Sequence, residues 1–201
     1  MKQTGSQVRA RCGAAAGMGV MAALLWGCGP AAVPPSGGPE TASFLEARLR
    51  GAIDADLAWN DANLLSEGGA RPDGSGIRVS LAGELAPGGQ RIRLVFGIGA
   101  PPGRPNVRAA PTNLTLILEG ANRVYATLGD DKCSVDTLTQ QPVVVAGGAP
   151  APGDYWVSAR GFCVEPAATL DGAERVLVSR FDFRGRIHLE ESDLRVTAPD
   201  S

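Results

Sequence analysis

The feature that most constrains this chain is a period-two alternation of apolar and polar residues, repeated from residue 45 to residue 189. Within 45–59 every odd position is apolar or small: Leu45, Ala47, Leu49, Gly51, Ile53, Ala55, Leu57 and Trp59. The even positions carry Glu46, Arg48, Arg50, Asp54 and Asp56. Side chains of a strand point alternately to opposite faces, so this segment is expected to be one long half-buried strand, bent at Gly51. A helix competes, because Leu45, Leu49, Ile53 and Leu57 fall four apart. Ala47, Ala55 and Trp59 complete the odd series and favour the strand.

The rule recurs downstream. Ile77, Val79, Leu81 and Leu85 alternate with Arg78, Ser80 and Glu84, and Ile92, Leu94, Phe96 and Ile98 with Arg91 and Arg93. Leu114, Leu116 and Leu118 alternate with Asn113, Thr115 and Glu119. Val124, Ala126 and Leu128 alternate with Arg123, Tyr125 and Thr127, and Tyr155, Val157, Ala159 and Cys163 with Trp156, Ser158 and Arg160. The last series sets Leu177, Phe181, Phe183, Ile187 and Leu189 against Arg180, Asp182, Arg184, Arg186 and His188. With a short strand after Cys133, about eight strands are expected. Turn chemistry separates them, as in Arg71-Pro72-Asp73-Gly74 and Ala86-Pro87-Gly88-Gly89. The expected fold is all-β, an antiparallel two-sheet sandwich of Ig-like or jelly-roll-like kind, with a barrel as the alternative. Long loops are expected at 60–76, 99–112 and 143–154, where a function would sit.

Ahead of this body lies a different segment. Lys2, Arg9 and Arg11 precede an Ala-, Met-, Val- and Leu-rich run at 13–26, and no acidic residue occurs in 1–27. That is the layout of a secretory signal, and the run is shorter than the roughly 20 residues a spanning helix needs. Leu25-Trp26-Gly27-Cys28 closes it. These residues resemble the lipobox of bacterial lipoproteins, whose cysteine receives a diacylglycerol and becomes the mature N-terminus. The resemblance covers residues 1–28 only; an ordinary signal cut after Ala31 is the alternative. It implies a lipid on Cys28, a membrane partner and, with Gly29 rather than Asp after the cysteine, an outer-membrane address. Residues 28–40, rich in Pro and Gly, read as a tether. The expected organisation is signal 1–27, lipidated tether 28–40 and one β-domain at 41–201.

Export bears on the cysteines. On that resemblance Cys12 would leave with the signal and Cys28 would be acylated, so Cys133 and Cys163 are expected to bridge in an oxidising compartment. Removing the three cationic residues of 1–27 from a chain of net charge −2 leaves −5. Lys2 and Lys132 are the only lysines and no basic block occurs, which argues against a nucleic-acid partner.

Catalytic motifs are sparse. His188 is the sole histidine, and no G-x-S-x-G or S-x-x-K occurs. No cofactor or metal is implied: Gly97-Ile98-Gly99 lacks dinucleotide spacing, and the aspartates follow no calcium-loop pattern. A non-catalytic structural or interaction domain is therefore expected. A second reading is a glycan- or peptide-binding module that displays Tyr125 and Trp156 beside Arg123 and Arg160. A third is a hydrolase working through carboxylates such as Asp131 and Asp136.

Overall fold

The computed structural model describes residues 42–195. The expected signal and tether, with Cys28, lie outside the described residues. Eleven strands follow one another: β1 Phe44–Gly51, β2 Ala55–Asn60, β3 Leu65–Ala70, β4 Ile77–Glu84, β5 Arg91–Ile98, β6 Val107–Leu118, β7 Arg123–Ala126, β8 Cys133–Val144, β9 Pro150–Cys163, β10 Ala167–Ala168 and β11 Arg175–His188. A single turn of helix, α1 Glu191–Arg195, comes last. Strands take 61% of the described residues and helix 3%, so the class is all-β, and every ladder is antiparallel.

The strands run in the order β2-β1-β11-β10-β7-β6-β5-β4-β3, and β8 joins β6 to β9, which returns to β11. The ladders β6-β7-β10-β11-β9-β8-β6 therefore close a ring. Two long strands make the closure possible by changing partners along their length. The first half of β6 pairs β8 through Val107↔Leu138 to Thr112↔Cys133, and its second half pairs β5 and β7. β11 pairs β10 at its start, β9 at its end, and β1 along 176–184.

One apolar core fills the interior. Phe96 of β5 lies 4.8 Å, ring centre to ring centre, from both Phe181 and Phe183 of β11. Close approach of backbone to side chain matters at two glycines. A Cβ at Gly83 would sit 2.6 Å from the ring of Trp59, whose Nε1–H donates to the Glu84 carbonyl at 2.9 Å. A Cβ at Gly185 would meet Ser66 Oγ at 2.7 Å and the side chains of Leu81 and Val79 at 3.1 Å. Cys133 and Cys163 face each other across β8 and β9 and are bridged, as export chemistry led one to expect.

Several expectations are corrected. The segment 45–59 is a hairpin, not one bent strand: β1 pairs β2 with Leu45 opposite Trp59 and Leu49 opposite Ala55. The five residues between Leu49 and Ala55 are odd in number, so odd positions face odd positions and the alternation runs on unbroken through the turn. The expected loop at 60–76 contains β3, whose Gly68 and Gly69 disguise it. Gly68 is required there, since a Cβ would lie 2.1 Å from the Arg78 carbonyl oxygen. The expected loops at 99–112 and 143–154 are shortened by the starts of β6 and β9.

In β7 the assigned faces are inverted. Tyr125 stands opposite Leu116, an inward residue of β6, and is 0% exposed; Val124 faces outward and Leu128 is 84% exposed. In β11 the inward phase changes at a bulge. Arg48 pairs Arg180 while Leu49 pairs Val178, so Ser179 is the extra residue. Val176 and Val178 are buried before it and Phe181 and Phe183 after it, leaving Leu177 only partly covered.

Candidate functional site

The outward residues of β9 and β11 bring an indole, a hydroxyl, guanidiniums and a carboxylate onto one surface. Trp156, Ser158 and Arg160 come from β9, and Arg180, Asp182, Arg184 and Arg186 from β11. The register sets them in rows: Gln141, Trp156 and Arg186; Thr139, Ser158 and Arg184; Thr137, Arg160 and Asp182. Alternation places them outside because Val157, Ala159, Phe181 and Phe183 take the inward positions.

Two contacts organise the face. Arg160 donates to Asp182 Oδ2 from Nε at 2.8 Å, and its Nη2 lies 2.7 Å from the same oxygen. Arg184 lies 5.8 Å from the centre of the half-buried Trp156 ring. A guanidinium over an indole gains about 0.5–1 kcal/mol at an exposed site. A planar guanidinium fork matches the geometry of a carboxylate or phosphate. Arg184 Nε is buried with no hydrogen-bond partner, and neither Arg180 nor Arg184 forms an ion pair among the described residues.

At one end of this surface Asp154 joins two basic side chains. It accepts from Arg186 and lies 2.8 Å from His188 Nδ1. These bonds, that of His188 first, hold the Asp154 carboxyl below the usual aspartate range, and Asp154 in turn raises the His188 pKa.

The sequence-derived site residues divide into two groups. Trp156 and Arg160 share the outward face of β9 as expected. Tyr125 and Arg123 do not join them, because β7 pairs β6 and β10 and shares no ladder with β9. Tyr125 is buried rather than displayed, and its hydroxyl donates to Glu174 Oε2 at 2.5 Å. Burial first, and then that bond, push its phenol pKa up. Arg123 lies 3.3 Å from the same carboxylate oxygen. The binding-platform expectation thus loses Tyr125 for a physical reason: β7 takes its register from Leu116, and the larger ring fills the core.

The carboxylates considered for hydrolysis do not form a pair. Asp131 lies 3.2 Å from Lys132 Nζ, and Asp136 is the exposed extra residue of a bulge in β8. Asp130 binds Arg71 at 2.9 Å and accepts from Asn113 Nδ2 at 2.6 Å. A general acid needs a raised pKa. Each carboxylate whose pKa is displaced here, in Asp73, Glu119, Asp154 and Asp171, is displaced downward. Among the described residues no group of three or more His, Cys, Asp or Glu gathers as a metal site.

Arg184 is the member that sequence reasoning left without a role. The alternation marks it as outward, but only the register between β9 and β11 brings it to Trp156. No family model matches the chain, and neither a curated protein nor a solved structure matches it.

Proposed function

We propose that this chain is an envelope lipoprotein whose β-domain is a non-catalytic interaction module, binding an anionic glycan or peptide on the outward face of β9 and β11. The observation that carries the reading is the Trp156–Arg184 pair, a half-buried indole bearing a guanidinium with no carboxylate partner among the described residues. Trp156 offers an apolar edge to a sugar ring or side chain, Arg184 and Arg180 offer charge, and Ser158, Thr139 and Gln141 offer hydrogen bonds. The lipid on Cys28 and the outer-membrane address rest on the resemblance of residues 25–28 to a lipobox. A two-layer sandwich is the finer reading of the strand ring. It is supported by Phe96 against Phe181 and Phe183 and by Gly185 against Leu81 and Val79, pairs from strands that share no ladder.

The test is titration of the full chain with uronate-containing and neutral oligosaccharides and with acidic peptides, followed by tryptophan fluorescence. Saturable binding to an acidic probe, lost in Trp156→Ala and Arg184→Gln, is expected. No response to any probe, or equal affinity in both variants, ends the proposal. For the anchor, cells labelled with an alkyne fatty acid should mark wild type and not Cys28→Ser.

A further inference from the structure

A depression of about 230 Å³ lies on the outer face of β1, β2 and the start of β11, lined by Glu46, Arg48, Asp56, Ala58 and Arg180 over the backbone of Ala47 and Leu57. The register around it is unusual. Arg48 stands directly opposite Arg180, and in the next outward row Glu46 stands directly opposite Asp182. Like charges directly opposed across a ladder destabilise a sheet, and here two such pairs are consecutive. The local partners relieve them only in part. Asp182 is taken by Arg160. Asp56 is shared between Arg50 at 2.8 Å and Arg48 at 3.4 Å. Glu46 and Arg180 are exposed and form no ion pair among the described residues. Ala58, the short residue between Asp56 and Asn60 on β2, leaves the space open.

The charges left over are Arg180, beside an Arg48 held only by the Asp56 carboxylate it shares with Arg50, in one row and Glu46 in the next, roughly 7 Å away along the strand. A simple anion would meet Glu46, and a simple cation would meet Arg48 and Arg180. We infer that this depression binds a small zwitterion, its carboxylate or phosphate across Arg48 and Arg180 and its primary ammonium on Glu46. A free amino acid and a phosphoethanolamine headgroup both carry that pattern, with their charges a few bonds apart. The site shares Arg180 with the β9–β11 face but uses neither Trp156 nor Arg184.

The experiment is calorimetric titration of the full chain with glycine and with phosphoethanolamine, set against inorganic phosphate, ethanolamine and phosphocholine. At least one zwitterion is expected to saturate, and inorganic phosphate and ethanolamine to bind about tenfold more weakly or not at all. Saturation by glycine alone assigns the free amino acid, and by phosphoethanolamine alone the headgroup. Saturation by both establishes the shared chemistry. Glu46→Gln and Arg180→Gln should each weaken binding about tenfold while the melting temperature holds, because both side chains are exposed. Phosphocholine, which has no N–H for Glu46, should bind more weakly than phosphoethanolamine. Trp156→Ala should leave binding intact, so failure of the β9–β11 face and failure of this site are separable. The inference is overturned if no zwitterion saturates, if inorganic phosphate binds as well as phosphoethanolamine, or if Glu46→Gln changes nothing.

Discussion

Ser66 holds the backbone of Arg186 at both of its polar groups: its Oγ accepts from the Arg186 N–H at 2.8 Å and donates to the Arg186 carbonyl at 3.3 Å. β1 stops pairing with β11 at Arg184, and there β3 comes alongside with a hydroxyl in place of a main-chain partner. Ser66→Ala leaves the Arg186 N–H without that partner. It should lower unfolding stability by about 1–2 kcal/mol in a denaturant titration. An unchanged midpoint would remove Ser66 as the fastening between β3 and β11.

Trp59 is packed flat enough on β4 that Gly83 cannot carry a side chain without moving it. Gly83→Ala should cost about 1–3 kcal/mol through overpacking and shift tryptophan emission to the red as the indole leaves the core. Gly88→Ala also alters a glycine, one at φ 70° with nothing near its Cβ position. It should leave the emission unaltered. Equal emission in the two variants would refute the contact.

The inversion of β7 gives opposite expectations for neighbouring residues. Tyr125→Ala empties a buried site and should cost about 3–5 kcal/mol, the range for large aromatic truncations. Leu128→Ser should stay within about 0.5 kcal/mol of wild type, as an exposed substitution does. Thermal melts that reverse the two would restore the faces suggested by alternation alone.

What alternation can and cannot reveal follows from these particulars. The inward faces of β4, β5 and the second half of β6 were legible, since no bulge interrupts Ile77 to Leu81, Ile92 to Ile98 or Leu114 to Leu118. β8 was not: a bulge at Asp136 and an irregularity between Pro142 and Val144 change its inward phase from Cys133 and Val135 to Leu138 and Gln140, and then to Val143. Gln140 also looks like a loop residue. It is buried, donating to the Pro101 and Arg104 carbonyls and accepting from the Gly103 N–H. Of the binding face, the outward placement of Trp156 and Arg160 was readable from one strand. The pairing of Trp156 with Arg184 required the register of two.

His188 and Asp154 give a pH dependence whose sign can be worked out. Asp154 raises the His188 pKa above its ordinary 6.5. The protonated histidine therefore adds stability below that ordinary value and loses it as pH rises through the raised one. The Asp154 pKa is lowered, so its share is present above the ordinary aspartate value and disappears as pH falls through the depressed one. An NMR titration should place the His188 midpoint above 6.5, and Asp154→Asn should bring it back towards that value. A wild-type midpoint at or below 6.5 would contradict the pairing.

Reduction of Cys133–Cys163, which lie 30 positions apart, should lower stability by roughly 3–4 kcal/mol on a chain-entropy account. Comparing chemical denaturation with and without dithiothreitol reads this directly. Equal midpoints with the thiols shown to be free would mean the ring of strands alone confines the hairpin.

The position of that bridge has a further consequence. Cys133 opens β8, Cys163 closes β9, and the exposed tip at 145–149 lies at the far end of the hairpin. A peptidase that nicks the tip therefore liberates no fragment. Both pieces stay joined through sulfur and still hydrogen-bonded to β6 and β11. The wound would be visible only on a reducing gel, so this exposed tip can be cut without shedding either piece.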